Sequence, residues 1–138
     1  MDELIKKGAV ELGRLIKKGE TSSEEVVKAH LERIKEVNPE INAITVSLEE
    51  SALELAIKSD NASKEDKARL LHGVPFTIKE NIDFIGSPTT NGLPFLAEEF
   101  PPKNAPIVDR MLSAGAIPIG RTNLPEMGLR LDTDNPLR

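Results

Sequence analysis

The 138 residues carry 38% hydrophobic and 30% charged side chains and a net charge of −5, enough apolar material for one domain with a real core. That charge balance argues against a broad nucleic-acid-binding face, and four Phe with no Trp or Tyr leave no base-stacking platform. The lack of cysteine excludes a thiol nucleophile, a thiolate zinc site and a disulfide framework, and fits a reducing, cytoplasmic location, the one expected here.

In chain order, Met1–Gly8 holds no long apolar stretch, so no secretory leader is expected. No run approaches the ~20 apolar residues that span a bilayer, so no membrane partner is expected either. Asp2 to Lys18 reads as an amphipathic helix with Ile5, Ala9, Leu12 and Ile16 on one stripe and Gly19 as its stop. Ser22 with Glu25 three residues on is a capping-box signature for a second helix carrying Val27, His30, Leu31, Ile34 and Val37, which Asn38-Pro39 should end. Residues 1–39 thus form a helical hairpin, and 40–138 the α/β part of a single domain spanning 1–138.

Ile41 to Val46 predicts a short strand, and Ser47 with Glu50 a capping box for a third helix to about Asp60. Asn61 to Arg69 is a polar linker with room for one helical turn capped by Ser63. Val74, Phe76 and Ile78 alternate with Pro75 and Thr77, the period of a strand that ends at Lys79. Ile82 to Pro106 is punctuated by Gly, Pro and Asn and reads as a long loop that is either functional or leans on structure not yet seen. Asn104 and Pro106 open a helix through Leu112, Ala116–Gly120 is a core strand, and Asn123-Leu124-Pro125-Glu126 starts a short helix. Strands alternating with helices predict an α/β fold whose sheet, with about three visible strands, is unfinished.

Lys79 has two readings. One is a solvated charge marking a strand terminus. The other is an amine stripped of water and poised to take up a proton, at the strand end where open α/β sheets usually bind ligands. Other side chains offer less. No Gly-x-Ser-x-Gly elbow, Gly-x-Gly-x-x-Gly turn or Walker loop is present. His30 reads as a packed helix residue and His72 as a structural hydrogen-bonder. Glu80 and Asp83 lie near Lys79 and could pair with a cation, but on a loop such carboxylates are more often solvated. Asp132 and Asp134 resemble the opening of a calcium loop that lacks its glycine and closing glutamate, so no metal and no cofactor is expected.

Leu71-His72-Gly73-Val74-Pro75-Phe76-Thr77-Ile78-Lys79-Glu80-Asn81 resembles the lysine-bearing strand of the amidase signature family. Thr89-Thr90-Asn91-Gly92 resembles the family's Thr-Thr-x-Gly loop. Asn104–Val108, Ala114–Asn123, Leu124–Gly128 and Thr133–Pro136 follow in the family's order, and Gly19-Glu20-Thr21-Ser22 is typical of its N-terminal hairpin. The resemblance implies the N-terminal portion of the amidase-signature fold, a mixed β-sheet with helices on its faces, incomplete in this chain. It implies hydrolysis of carboxylic amide C–N bonds by a nucleophilic serine, a bridging cis-serine and a lysine, and it assigns the lysine to Lys79.

The family's Gly-Gly-Ser-Ser-Gly-Gly segment should follow the Asn135-Pro136 region, and Ser22, Ser23, Ser47, Ser51, Ser59, Ser63, Ser87 and Ser113 do not sit in such a context. The 138 residues are therefore expected to be a fragment, inactive alone. The expected partner is a small-molecule amide substrate in the complete enzyme, without direct nucleic-acid or membrane contact, and self-pairing into a homo-oligomer stays open. One alternative is the glutaminase subunit of the tRNA-dependent amidotransferase, from whose Lys-Asp-Asn the Lys79-Glu80-Asn81 here departs. The other is a truncated, non-catalytic interaction module.

Overall fold

The computed structural model describes residues 2–138. Nine regular elements are followed in chain order: α1 (Asp2–Ile5), α2 (Ala9–Lys18), α3 (Ser23–Ile41), β1 (Ile44–Ser47), α4 (Glu49–Asp60), α5 (Lys64–Lys67), β2 (Pro75–Lys79), α6 (Pro106–Ser113) and β3 (Ile117–Thr122). Two 3₁₀ turns, Pro94–Leu96 and Glu126–Gly128, sit in the connecting segments.

The helical hairpin is set by local chemistry. Gly19 takes the left-handed conformation (φ 70°), so its N–H reaches the Ile16 carbonyl and the Glu20 N–H reaches Leu15, closing α2. Ser22 then caps α3: its Oγ accepts from the Glu25 N–H, and the Glu25 carboxylate accepts from the Ser22 N–H. The Asp60 carboxylate, at the far end of α4, accepts from the Ser23 and Glu24 N–H groups at 2.7 and 3.0 Å. A negative charge thus sits on the positive end of α3 and ties that helix to α4. Leu12, Val26 and Val74 form one core between α2, α3 and the entry to β2. Val27 and Leu31 of α3, Ala52 and Ala56 of α4, and Ile117 and Ile119 of β3 form the other.

The sheet has three strands among the described residues, in the order β1-β3-β2. β2 and β3 run parallel through the α6 crossover, and β1 pairs antiparallel to β3. Both pairings slip. β2 and β3 shift register after Phe76↔Pro118, where Pro118 offers no N–H. On the other side Ile44 faces Thr122 and Val46 faces Arg121, which leaves Thr45 as the extra residue of a bulge. A bulge re-aims the side chain it carries, and Thr45 turns its hydroxyl to Glu80. No helix is long and apolar enough to cross a membrane among the described residues.

Several local expectations are corrected. The first helix is two: the Lys7 N–H closes α1 on Leu4, and extended Gly8 (ψ 159°) starts α2. Asn38-Pro39 does not end α3, which runs to Ile41 and stops at left-handed Asn42. The Asn38 amide bonds both the N–H and the carbonyl of Ile44, at 2.7 and 2.8 Å, and those two bonds hold Asn38 helical against the proline's bias. The first strand accordingly begins at Ile44 rather than Ile41. Leu48, not Ser47, precedes α4, and the Ser47 hydroxyl accepts only from the Glu49 N–H at 3.3 Å. Asn104 is likewise displaced as a cap: Ala105 precedes α6, and Asn104 instead accepts from the Ile85 N–H and donates to Asp109. The helix expected from Asn123 is the single turn Glu126–Gly128, because the Asn123 side chain bonds the Asn42 carbonyl and Asn135.

Candidate active site

β2 delivers Lys79 to its C-terminal end, paired across the sheet with Thr122. The side chain is half-buried. Among the described residues its Nζ has no ion-pair partner. The backbone beneath it is held firmly. Arg121 of β3, completely buried, donates from Nε to the Ile78 carbonyl and from Nη2 to those of Lys79 and Ile82. One planar guanidinium therefore fixes the last two residues of β2 and the turn that follows. Its Nη1 is buried with no partner among the described residues. Burial pulls the Arg121 guanidinium down from its ordinary value, and the Glu80 and Asp83 carboxylates oppose that.

Glu80, the next residue, is completely buried rather than solvated as its loop position predicts. Its carboxylate accepts from Thr45 Oγ1 at 2.8 Å, from Thr90 Oγ1 at 2.6 Å and from the Arg138 guanidinium through Nε and Nη2. Burial pushes this carboxyl up, but hydrogen bonds from Arg138, Thr90 and Thr45 together outweigh it and hold the group below the ordinary glutamate value. Asp83 supplies its backbone carbonyl to the Ala105 N–H and sits near Arg121.

The Thr89–Gly92 loop closes over this cluster. The Gly92 N–H donates to Thr90 Oγ1, and Gly92 (φ 75°) presses on Asn135, whose Cβ would lie 2.8 Å from any side chain placed there. Asn135, also buried, donates to Asn123 Oδ1 and the Leu124 carbonyl and accepts from the N–H groups of Leu137 and Arg138. The Met127 N–H donates to the Asn91 carbonyl, which brings the Glu126–Gly128 turn against the loop. Left-handed Gly128 (φ 73°) lies beside the amine: a Cβ there would be 4.0 Å from Lys79 Nζ and 3.6 Å from Asn81 Nδ2. The amine thus stands at the mouth of a frame built from β2, the 89–92 loop, the 126–128 turn and the segment at Asn135.

Other candidates lie elsewhere. His30 bonds the Val26 carbonyl within its own helix. His72 is buried, with Nε2 unpartnered among the described residues. Burial, then the charge of Lys67, lowers its pKa below the ordinary value. It lines a cleft of about 790 Å³ whose lining residues belong to the helical hairpin, Asp60 and the 64–72 segment and do not include Lys79. Asp132 and Asp134 are exposed. Thr45, Arg121 and Arg138 are the site residues least legible in the sequence. Arg121 carried one available signal, a charge inside an otherwise apolar strand.

A family model described as Amidase matches residues 25–138. The chain belongs to the Amidase family. Within that family it is 46% identical over 130 residues to an indoleacetamide hydrolase of Bradyrhizobium diazoefficiens, covering 94% of this chain and 25% of that protein. It is 42% identical over 125 residues to a glutamyl-tRNA(Gln) amidotransferase subunit of Caldanaerobacter subterraneus subsp. tengcongensis, covering 91% and 26%. A solved fatty acid amide hydrolase superposes with a TM-score of 0.91 at 27% identity, covering 98% of this chain and 24% of that one. The Amidase-family architecture expected from the sequence, a mixed and incomplete sheet packed by helices, is the one found. The chain spans about a quarter of the length of the curated relatives it matches.

Proposed function

We propose that these 138 residues are part of an amidohydrolase that cleaves carboxylic amide C–N bonds, and that Lys79 is its proton-accepting residue. The observation that carries the reading is the placement of the Lys79 amine: at the C-terminal end of a parallel strand, half-buried, without a carboxylate partner among the described residues, and facing a glycine. A paired lysine would be tied up as an ion. An unpaired one at a strand end can exchange a proton with a neighbouring hydroxyl. In the mechanism the resemblance implies, the lysine takes the proton that a bridging serine relays from the nucleophilic serine. The nucleophile attacks the amide carbonyl, the amine leaves, and water releases the acyl group.

Of those three groups the 138 residues supply the lysine, so this polypeptide by itself hydrolyses no amide. Identity to the indoleacetamide hydrolase supports a small amide as substrate. Identity to the amidotransferase protein supports the alternative, release of ammonia to a partner, and Glu80 in place of the aspartate expected there weighs against it.

The test is a chimera. Residues 1–138 replace the matching quarter of the indoleacetamide hydrolase, and hydrolysis of indoleacetamide is followed by ammonia release. The chimera is expected to turn over and the 138-residue polypeptide to show none. Turnover by the polypeptide alone, or a folded chimera without turnover, contradicts the reading.

A further inference from the structure

Lys79 is the last residue of β2 and Glu80 the first of the turn that follows, its N–H still bonded to the Thr122 carbonyl of β3. The amine faces Gly128. The carboxylate occupies a fully buried site, where it meets side chains from three segments remote in sequence: Thr45 from the β1 bulge, Thr90 from the loop, and Arg138 beyond Asn135. The 89–92 loop and the segment at Asn135 belong to the frame around the amine, and β1 joins them through Glu80. Thr90 in turn accepts the Gly92 N–H, and Asn135 accepts the Arg138 N–H, so the hydrogen bonds continue from the carboxylate into the loop and the last turn of chain.

We propose that Glu80 is a positioning residue for Lys79, and that its length, one methylene more than an aspartate, is what lets a single carboxylate hold β1, the 89–92 loop and the Arg138 segment together. The inference rests on Lys79 being the working base. An aspartate would draw the oxygens back by about 1.5 Å, one C–C bond. From there a carboxylate cannot stay within hydrogen-bond reach of partners that stand at 2.6 and 2.8 Å on different segments. Charge alone is therefore insufficient. A glutamine keeps the reach and can accept from one threonine while donating to the other, but it turns a donor towards Arg138.

The experiment compares the indoleacetamide hydrolase chimera carrying the wild-type sequence, Glu80→Asp or Glu80→Gln by hydrogen exchange and by pulse acetylation, both read by mass spectrometry. Thr90→Val, which removes one donor and keeps the carboxylate, serves as the variant least prone to unfolding. Glu80→Asp is expected to raise exchange across residues 89–92 at least tenfold and to raise Lys79 acetylation several-fold relative to the remaining lysines. Glu80→Gln is expected to keep loop exchange within about threefold of wild type. Thr90→Val is expected to raise both the exchange across 89–92 and Lys79 acetylation. Lys79 acetylation unchanged in both Glu80→Asp and Thr90→Val overturns the proposal, whatever happens to the melting temperature. Loop protection in Glu80→Asp equal to wild type overturns the length argument. The base assignment fails separately, if Lys79→Met leaves turnover of the indoleacetamide hydrolase chimera intact while these labelling changes still occur.

Discussion

Protonating Glu80 removes the acceptor shared by Arg138, Thr45 and Thr90, so acid loosens this cluster. The sign follows from the depressed folded-state value. Stability from the carboxylate is fully present above the ordinary glutamate value of 4.5 and is lost as pH falls through the lower folded value. His72 adds a second acid limb. Burial keeps it neutral, so its contribution is present above 6.5 and is lost as pH falls from there. Melting temperature measured from pH 7 to pH 3 should therefore fall in two stages, and Glu80→Gln should flatten the lower one. At pH 7 the same substitution is expected to cost about 1–3 kcal/mol, at the modest end for a broken buried pair because the Arg138 side chain keeps 25% exposure. A lower acid limb unchanged in Glu80→Gln would assign acid sensitivity to other carboxylates. The burial of Glu80 was not legible in the sequence, because its partners lie 10, 35 and 58 residues away and no local pattern joins them.

The elements that read correctly are those whose ends are fixed by short-range chemistry. The Ser22–Glu25 box, the Gly19 stop and the Ser63 cap, whose hydroxyl accepts the Asp66 N–H, all form as the spacing predicts. Ser22→Ala should cost about 1 kcal/mol in a denaturant melt, with most of the loss in α3. A loss below a few tenths would mean that the Asp60 carboxylate alone secures that helix end. The elements that read incorrectly have ends set by partners across the fold. Asn38 stays helical because Ile44 takes its amide, and Asn104 leaves its cap to hold Ile85. Asn123 turns from its helix to Asn42 and Asn135. All three are asparagines, whose short amides suit helix caps and long-range clamps equally well. The strand carrying Lys79 read well because its alternation is strict. The frame around the amine did not, because it is assembled from the 89–92 loop, the 126–128 turn and Asn135.

Across the whole molecule, apolar surface is left uncovered. Val10, Leu70, Phe95, Leu129 and Leu131 are each at least 79% exposed, and β1 and β2 both form outer edges of the three-stranded sheet. The 138-residue polypeptide alone is expected to self-associate or to bind a hydrophobic dye strongly. A monomer at high concentration with a sharp melt and no dye binding would show that this surface needs no cover. The role of the Lys79 amine is measured most directly as kcat/KM for a small amide in the indoleacetamide hydrolase chimera, with Lys79 and with Lys79→Met. Methionine keeps most of the side chain's length and removes the amine. A fall of about 10²–10⁴-fold, the usual size of a general-base contribution, with secondary structure and melting temperature unchanged, is the predicted result. Turnover within a few-fold of the unsubstituted chimera would contradict it.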